Sequence, residues 1–413
     1  LSMEKRKMRQ RRKKNRKIRG CLGGTIILLL TVCLLFGAVR LAPSVFEKYF
    51  PVQEVSSLIP PRGEEKESAE MSGTEGGFYF GKLSSEEQGI YGALLRGVQE
   101  EAEAVDIPAV DGDRAAQIYE YLLYDKPELF WCDGTSRMTF YEDHIEFRPG
   151  YSCTGEVKQE KESQIEEAAQ LCLREAGARQ TDYEKVRYIF EYLVETVDYQ
   201  ADAPDNQNIY SALVNQRSVC AGYSRAAQYL LERLGMECIY VIGAIEDQGS
   251  HAWNIVNCGG LYYHVDVTFG DPVFLAEEGE TALPQNAVNY DYLCCTDAEI
   301  TGTHRMAEGM GYPACTSDDL NYYRLGGMYY ETFDSEEILK KMNESFYAGD
   351  EAFTCKFSDE GLYQEAYDTV INELLPLAAQ NFGDYYGMDS VKYSYVAEEK
   401  LRKITVFWDY GQQ

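Results

Sequence analysis

The chain has 413 residues, 45% of them hydrophobic and 26% charged, with a formal net charge of −29. That apolar share is enough for packed cores and excludes a chain disordered throughout. The acid excess speaks against nucleic acid and anionic lipid headgroups as partners and favours basic or neutral protein segments, with solubility alone as the plainer reading.

The charge is unevenly placed. Residues 1–19 carry eleven Lys/Arg against Glu4, and Gly20 to Val39 follow without a charge. Twenty residues at ~1.5 Å rise each span a bilayer, with the basic cluster held on the cytoplasmic side. The run exceeds a typical signal-peptide core and no A-x-A site follows, so it reads as a single-pass signal anchor rather than a cleaved leader. Cys21 and Cys33 fall within it as packing residues, with lipidation of Cys21 the other option. Residues 41–413 then stand outside the cytoplasm with 27 basic and 67 acidic residues. Residues 40–77, including Pro60-Pro61-Arg-Gly-Glu-Glu-Lys-Glu, have few apolar side chains to bury and read as a flexible stalk.

Structure is expected from Phe78. Ser84-Ser-Glu-Glu87 is a capping box opening a helix to about Ala104, and a second helix runs from Asp113 to before Pro127. Leu129 to Trp131 suggests a short strand, and Met138–Tyr141 with His144–Arg148 a hairpin. Residues 78–155 thus form a mostly helical accessory module that positions substrate, binds an envelope component or simply covers the core. Helices follow from Lys158 to Ala176 and, behind the capping box Thr181-Asp-Tyr-Glu184, to Thr196.

Ser218-Val-Cys-Ala-Gly-Tyr-Ser224 precedes the apolar-periodic run Ala226, Ala227, Tyr229, Leu230, Leu231, Leu234, which closes with Gly235. The pattern predicts a helix beginning near Cys220. A thiol there meets the positive end of the helix dipole and free N–H groups, which favour thiolate over thiol and supply one arm of an oxyanion hole. Ala252 to Cys258 and Leu261 to Val267 are rich in aromatic and β-branched residues and flank Gly259-Gly260, a hairpin signal. A two-residue loop pairs Cys258 with Leu261 and puts His251 diagonal to Asp266. A four-residue loop puts them directly opposite. Any even loop brings imidazole and carboxylate to one face, where His251 can take the thiol proton and Asp266 can hold the ring in one tautomer.

Asn215, Gln216, Trp253 and Asn254 are further candidates for an oxyanion donor or the pocket wall. Asn215 and Gln216 would equally well end the preceding helix, and Trp253 is also an ordinary core residue. His264 shares the face of Asp266 as a supporting partner; the alternative is a zinc site with Cys220, His251 and Asp266. No close Cys or His pair of the finger type supports zinc, and neither a metal nor a cofactor is expected.

Beyond Pro272 the chain is loop-rich to about Tyr330. Thr296-Asp-Ala-Glu reads as a short capped helix leading towards His304, whose sequence distance neither ties it to Cys220 nor separates it. A helix from Ser335 to Tyr347, a strand at Phe353–Phe357, a long helix from Asp359 to Ala379, and strands at Val391–Val396 and Leu401–Tyr410 make a small α+β appendage over 331–413. Its tyrosines offer a glycan- or peptide-binding face, or ordinary strand packing. Ten cysteines lie beyond the apolar span, and Cys294-Cys295 are either a vicinal pair or two buried thiols.

The run from about Tyr188 to Pro272, roughly a fifth of the chain, resembles the transglutaminase-like (papain-type) superfamily core in these stretches and in Gly235-Met-Glu, Ile242-Gly243 and Asp266-Val-Thr-Phe-Gly-Asp-Pro272. The resemblance implies an α+β fold in which a helix bearing Cys220 packs on an antiparallel sheet bearing His251 and Asp266, within a catalytic core over 156–330. It implies a nucleophile, a base and an orienting acid that form a thioester from an amide and pass the acyl group to water or an amine. The superfamily includes transferases, proteases, amidases and inactive relatives, so it implies mechanism better than substrate. The expectation is a membrane-anchored bacterial enzyme acting on a protein or peptide of the cell envelope; the alternative is a non-catalytic envelope adaptor.

Overall fold

A computed structural model describes residues 76–246, 249–271 and 288–410. The expected basic tail at 1–19, the span at 20–39 and nearly all of the stalk lie outside them. Among the described residues no helix is long and apolar enough to cross a membrane.

Local signals set the first elements. Ser84 Oγ accepts from Glu87 N–H while the Glu87 carboxylate takes Ser84 N–H at 2.8 Å, opening α1 (Ser85–Gln99). This helix stops short of Ala104 because Glu101 turns to φ 55° and the chain becomes strand β1 (Val105–Pro108). Asp111 caps α2 (Gly112–Asp125), and β2 (Cys132–Phe140) and β3 (His144–Tyr151) form a hairpin. The sheet order is β1-β3-β2. Leu129–Trp131 is not the expected strand. It is a turn whose Leu129, Phe130 and Trp131 side chains are buried, and Trp131 Nε1–H donates to Val98 O at 3.1 Å.

Helices α3 (Gly155–Gly177) and α4 (Asp182–Thr196) lead to the bridge strand β4 (Asp198–Tyr199), the short α5 (Ile209–Leu213), the bridge strand β5 (Arg217–Ser218) and α6 (Cys220–Arg233). Next come β6 (Cys238–Ile245), β7 (Gly249–Cys258), β8 (Leu261–Val265), α7 (Val267–Gly270), β9 (Leu293–Cys295), α8 (Asp297–Ile300) and β10 (His304–Met306). Strands β6 to β10 form one antiparallel sheet in the order β10-β6-β7-β8-β9, with α6 packed on β7 and β6. The fold is α+β with a papain-like core. One hydrophobic cluster extends from Tyr79 to Cys315, so the N-terminal helices and this sheet share a core, and Tyr79 Oη–H donates to Tyr240 O across it at 2.6 Å.

The C-terminal part has a second cluster, from Tyr330 to Trp408. It comprises α9 (Tyr322–Leu325), β11 (Tyr329–Tyr330), α10 (Ser335–Tyr347), β12 (Ala352–Phe357), α11 (Glu360–Thr369), a π turn over Val370–Leu374, α12 (Leu375–Tyr386), β13 (Lys392–Glu398) and β14 (Lys403–Asp409). The long helix runs past Ala379 because Phe382 buries against Phe346 and Trp408, and Gly387 ends it at φ 67°. The tyrosines divide: Tyr330 and Tyr363 are core, whereas Tyr347, Tyr385, Tyr393 and Tyr395 are exposed. The ten described cysteines are all free thiols, Cys294 and Cys295 among them.

Candidate active site

Helix α6 starts at Cys220 behind Val219, which is extended at φ −115°, ψ 179°. The first helical hydrogen bonds, from Gly222 and Tyr223 N–H, go to Val219 O, so the N–H groups of Cys220 and Ala221 precede the ladder. A side chain on Gly222 would strike Ser218 Oγ at 1.9 Å, so only glycine lets the turn before the helix close. Ser224 Oγ lies 2.8 Å from Ala252 O, and Asn254 Nδ2 donates to Ser224 O at 3.1 Å. These contacts dock the helix on β7 beside His251.

The hairpin closes through Gly259 and Gly260 at φ 63° and 90°, with Cys258 opposite Leu261 and Asn254 opposite Val265. Strand β8 ends at Val265, short of the expected Val267, because Asp266 becomes the N-cap of α7. Its Oδ1 accepts Thr268 N–H at 2.9 Å and Phe269 N–H at 3.2 Å. That leaves Oδ2 for His251 Nε2–H, 2.6 Å away. With Nε2 on the carboxylate, Nδ1 is the nitrogen left for the Cys220 thiol, a neighbour that helps to raise the ring. His251 and Asp266 are buried, while Cys220 is half-buried and is the member that faces outward.

A residue with no assigned role in the sequence completes the arrangement. His304, on β10, donates Nε2–H to the same Oδ2 at 2.9 Å and is itself buried. Asp266 therefore accepts four hydrogen bonds, two on each oxygen. Burial works against its charge, but His251 and His304 outweigh burial and hold the carboxyl well below the usual range. Burial also opposes charging His251; Asp266, with Cys220, overcomes it and pushes the imidazole up to about 10. His304 goes the other way, lowered chiefly by burial, and is neutral at physiological pH.

Of the remaining candidates, Trp253 is fully buried behind His251, with ring centroids 5.9 Å apart, so it backs the imidazole rather than walling a pocket. Its Nε1–H donates to His264 Nδ1 at 3.0 Å, which places the hydrogen of that ring on Nε2, directed at Asp297 Oδ1 2.9 Å away. His264 thus supports Trp253 rather than Asp266. Asn254 is buried and turned to α6, on the face of β7 opposite His251, so it serves helix docking. Asn215 N–H closes the end of α5 on Tyr210 O, and Gln216, at φ 55°, accepts Asp198 N–H through its backbone carbonyl. Both shape the turn before β5.

Among the described residues, two groups bring metal-ligand atoms within 4.8 Å of one another: His251, Asp266 and His304, and His264, Asp297 and Cys315. In the second, an ion at His264 Nε2 would require an imidazolate, because Nδ1 already accepts from Trp253. In the first, both Nε2–H groups are committed to one carboxylate oxygen. Hydrogen bonds satisfy both groups as they stand.

Gly243 fixes the layer beneath. A Cβ there would lie 2.3 Å from Arg305 O and 2.6 Å from the Trp253 ring. Gly243→Ala is expected to cost ~1–3 kcal/mol by overpacking, read by urea denaturation, and to slow alkylation of Cys220 as Trp253 and β10 are displaced.

Residues 170–267 match the model of the transglutaminase-like superfamily. Two solved structures are similar over part of their length. One, described as a TGase, has 15% sequence identity, covers 33% of this chain and 44% of its own, and has a TM-score of 0.26. The other, described as a candidate cysteine protease from Cytophaga hutchinsonii, has 14% identity, covers 32% of this chain and 61% of its own, and has a TM-score of 0.23. The chain thus spans less than two thirds of either relative. No curated protein matches it. The cysteine, histidine and aspartate described above lie within this segment, which is similar to the transglutaminase-like superfamily and forms part of a larger α+β chain.

Proposed function

We propose that the chain is a cell-surface thiol acyl-transfer enzyme in which Cys220 is the nucleophile, His251 the general base and then acid, and Asp266 the orienting carboxylate. The observation that carries this reading is the buried 2.6 Å His251–Asp266 pair, with Cys220 at the start of α6 as a neighbour of the imidazole. Cys220 Sγ, its proton already held on Nδ1 of the raised His251 imidazole, attacks an amide carbon. The N–H groups of Cys220 and Ala221 offer one arm of support to the oxyanion. Collapse breaks the C–N bond, the leaving amine takes the proton from His251, and a thioester remains. Water or a second amine then attacks and gives its proton to His251, and collapse breaks the C–S bond, releasing the acyl product and returning the thiolate beside the protonated ring. A protein or peptide of the cell envelope is the substrate this reading favours, since the apolar run 20–39 would anchor an acidic domain outside the membrane.

Iodoacetamide labelling tests it. Burial pushes Cys132, Cys315 and Cys355 up to about 12 and Cys238 and Cys295 well above the usual thiol range. At pH 6, Cys220 is expected to alkylate rapidly and selectively, and His251→Ala to suppress it. A wild-type Cys220 as inert as the buried thiols would assign the domain to a non-catalytic adaptor.

A further inference from the structure

His304 has more than packing to do. Its ring lies 5.3 Å from His251, 5.1 Å from Trp253, 4.8 Å from Phe269 and 5.2 Å from Tyr292, centroid to centroid, an environment that phenylalanine would fill. Only its nitrogens need an imidazole. Thr303 Oγ1 is 2.7 Å from Nδ1 and 3.4 Å from Ile300 O, so the shorter contact takes the hydroxyl hydrogen. Thr303 Oγ1 can then accept from Tyr292 Oη–H at 3.0 Å. This fixes one tautomer: Nδ1 accepts and Nε2–H points at Asp266 Oδ2. The backbone closes the arrangement, because Asp266 N–H donates to Tyr292 O at 2.9 Å.

We infer that His304 is a positioning residue for the Cys220–His251–Asp266 site: its Nε2–H holds the Asp266 carboxylate towards His251 and takes up part of the carboxylate charge. The inference rests on the acyl-transfer reading for its catalytic meaning. Two backbone N–H groups already fix Oδ1, so His304 is the donor that keeps Oδ2 in place when His251 gives up or receives its proton. A fully exposed carboxylate charge on His251 alone would make the imidazolium a reluctant acid, and proton return to the leaving amine would suffer. Sharing Oδ2 between two N–H groups moderates that. The titratable groups facing His251 are Asp266, Cys220 and His304; those facing His304 are Asp266, His251, His264 and Tyr292.

The chain has only four histidines, which makes each ring separable by nitrogen-15 NMR of histidine-labelled protein. The experiment follows the His251 titration in wild type, His304→Phe and His304→Gln, with Cys220 alkylation measured in parallel. His304→Phe keeps the ring but removes the donor, and the His251 midpoint is expected to rise by about one unit, a tenfold change in proton affinity. His304→Gln restores an N–H to Oδ2 and is expected to bring the midpoint back to that of wild type. If the Phe variant does not fold, Thr303→Val replaces it. Loss of the hydroxyl donor to Nδ1 weakens the Nε2–H bond at the other end of the ring, and a smaller rise is expected. An unchanged or lowered His251 midpoint in the variant used overturns the inference. An inert wild-type Cys220 would overturn the acyl-transfer reading instead, because the His251 titration reads His304 whether or not the thiol attacks an amide.

Discussion

Asp266→Asn is expected to slow acylation of Cys220 about 10⁴-fold, the scale on which a buried orienting carboxylate acts in a nucleophile–histidine pair. The reason is donor and acceptor count. Asp266 receives Thr268 and Phe269 N–H on one oxygen and two histidine N–H groups on the other. An amide has one acceptor oxygen and one donor nitrogen, so in either orientation two N–H donors face its NH₂ group. If the NH₂ faces the histidines, His251 relieves the clash by moving its proton to Nδ1, the side needed to accept from Cys220, and ceases to be a base. If it faces the helix start, the cap of α7 is lost. Pre-steady-state acylation or alkylation kinetics separates this from a binding defect.

The same pair sets a pH signature. His251 has a folded pKa raised to about 10, so its stabilisation is fully present below the unfolded value of about 6.5 and is lost as pH rises through about 10. Asp266 has a lowered folded pKa, so its share is present above about 3.9 and is lost as pH falls through the folded value. Both shifts describe one interaction and count once. The stability gap between wild type and Asp266→Asn is therefore expected to be widest between about pH 4 and 6.5 and to close towards pH 10. Urea denaturation across that range checks it, and a flat gap from pH 6 to 10 would remove the imidazolium–carboxylate pair from the account.

What could be read from sequence was what is local. The capping boxes at Ser84, Thr181 and Thr296 involve residues three apart, and the Gly259-Gly260 turn fixes its own register, so helix starts and the pairing that carries His251 were legible. Strand alternation also held the answer for Asn254: if His251 and Trp253 share a face, Asn254 must take the other. His304 was not legible as a partner. It lies 38 residues beyond Asp266 and reaches it through β10, a three-residue strand that pairs with β6 on the far side of β7. Nothing periodic announces so short a strand. Likewise α12 outlasts its weak helix formers because Phe382 packs into a core assembled from distant strands.

Asp291→Asn is expected to destabilise the protein by ~3–5 kcal/mol, because it removes the carboxylate that two buried ammonium groups share. Asp291 is buried in the segment before β9, where its carboxylate pairs with Lys356 Nζ of β12 at 3.2 Å and with Lys403 Nζ of β14; Lys403 also meets Glu398 at 2.8 Å. Burial opposes the Asp291 charge, yet the two lysines outweigh it and lower its pKa, while Asp291 and its neighbours raise Lys403 well above the usual lysine value despite burial. The cluster therefore stabilises above the unfolded carboxylate pKa of about 3.9, weakens as pH falls through the folded value, and holds into the alkaline range until Lys403 deprotonates. It also joins the C-terminal sheet to the site, since the next residue, Tyr292, accepts Asp266 N–H and packs on His304. Replacing the four charges together, Asp291→Leu and Glu398→Leu with Lys356→Met and Lys403→Met, is expected to restore stability to near wild type, as apolar groups of similar volume do for buried ion pairs. Cys220 alkylation decides what the cluster is for. A quadruple variant that folds well but labels slowly would mean that the charged cluster aligns Tyr292 and the Asp266–His304 contact; full labelling would make it a seam between sheets and no more.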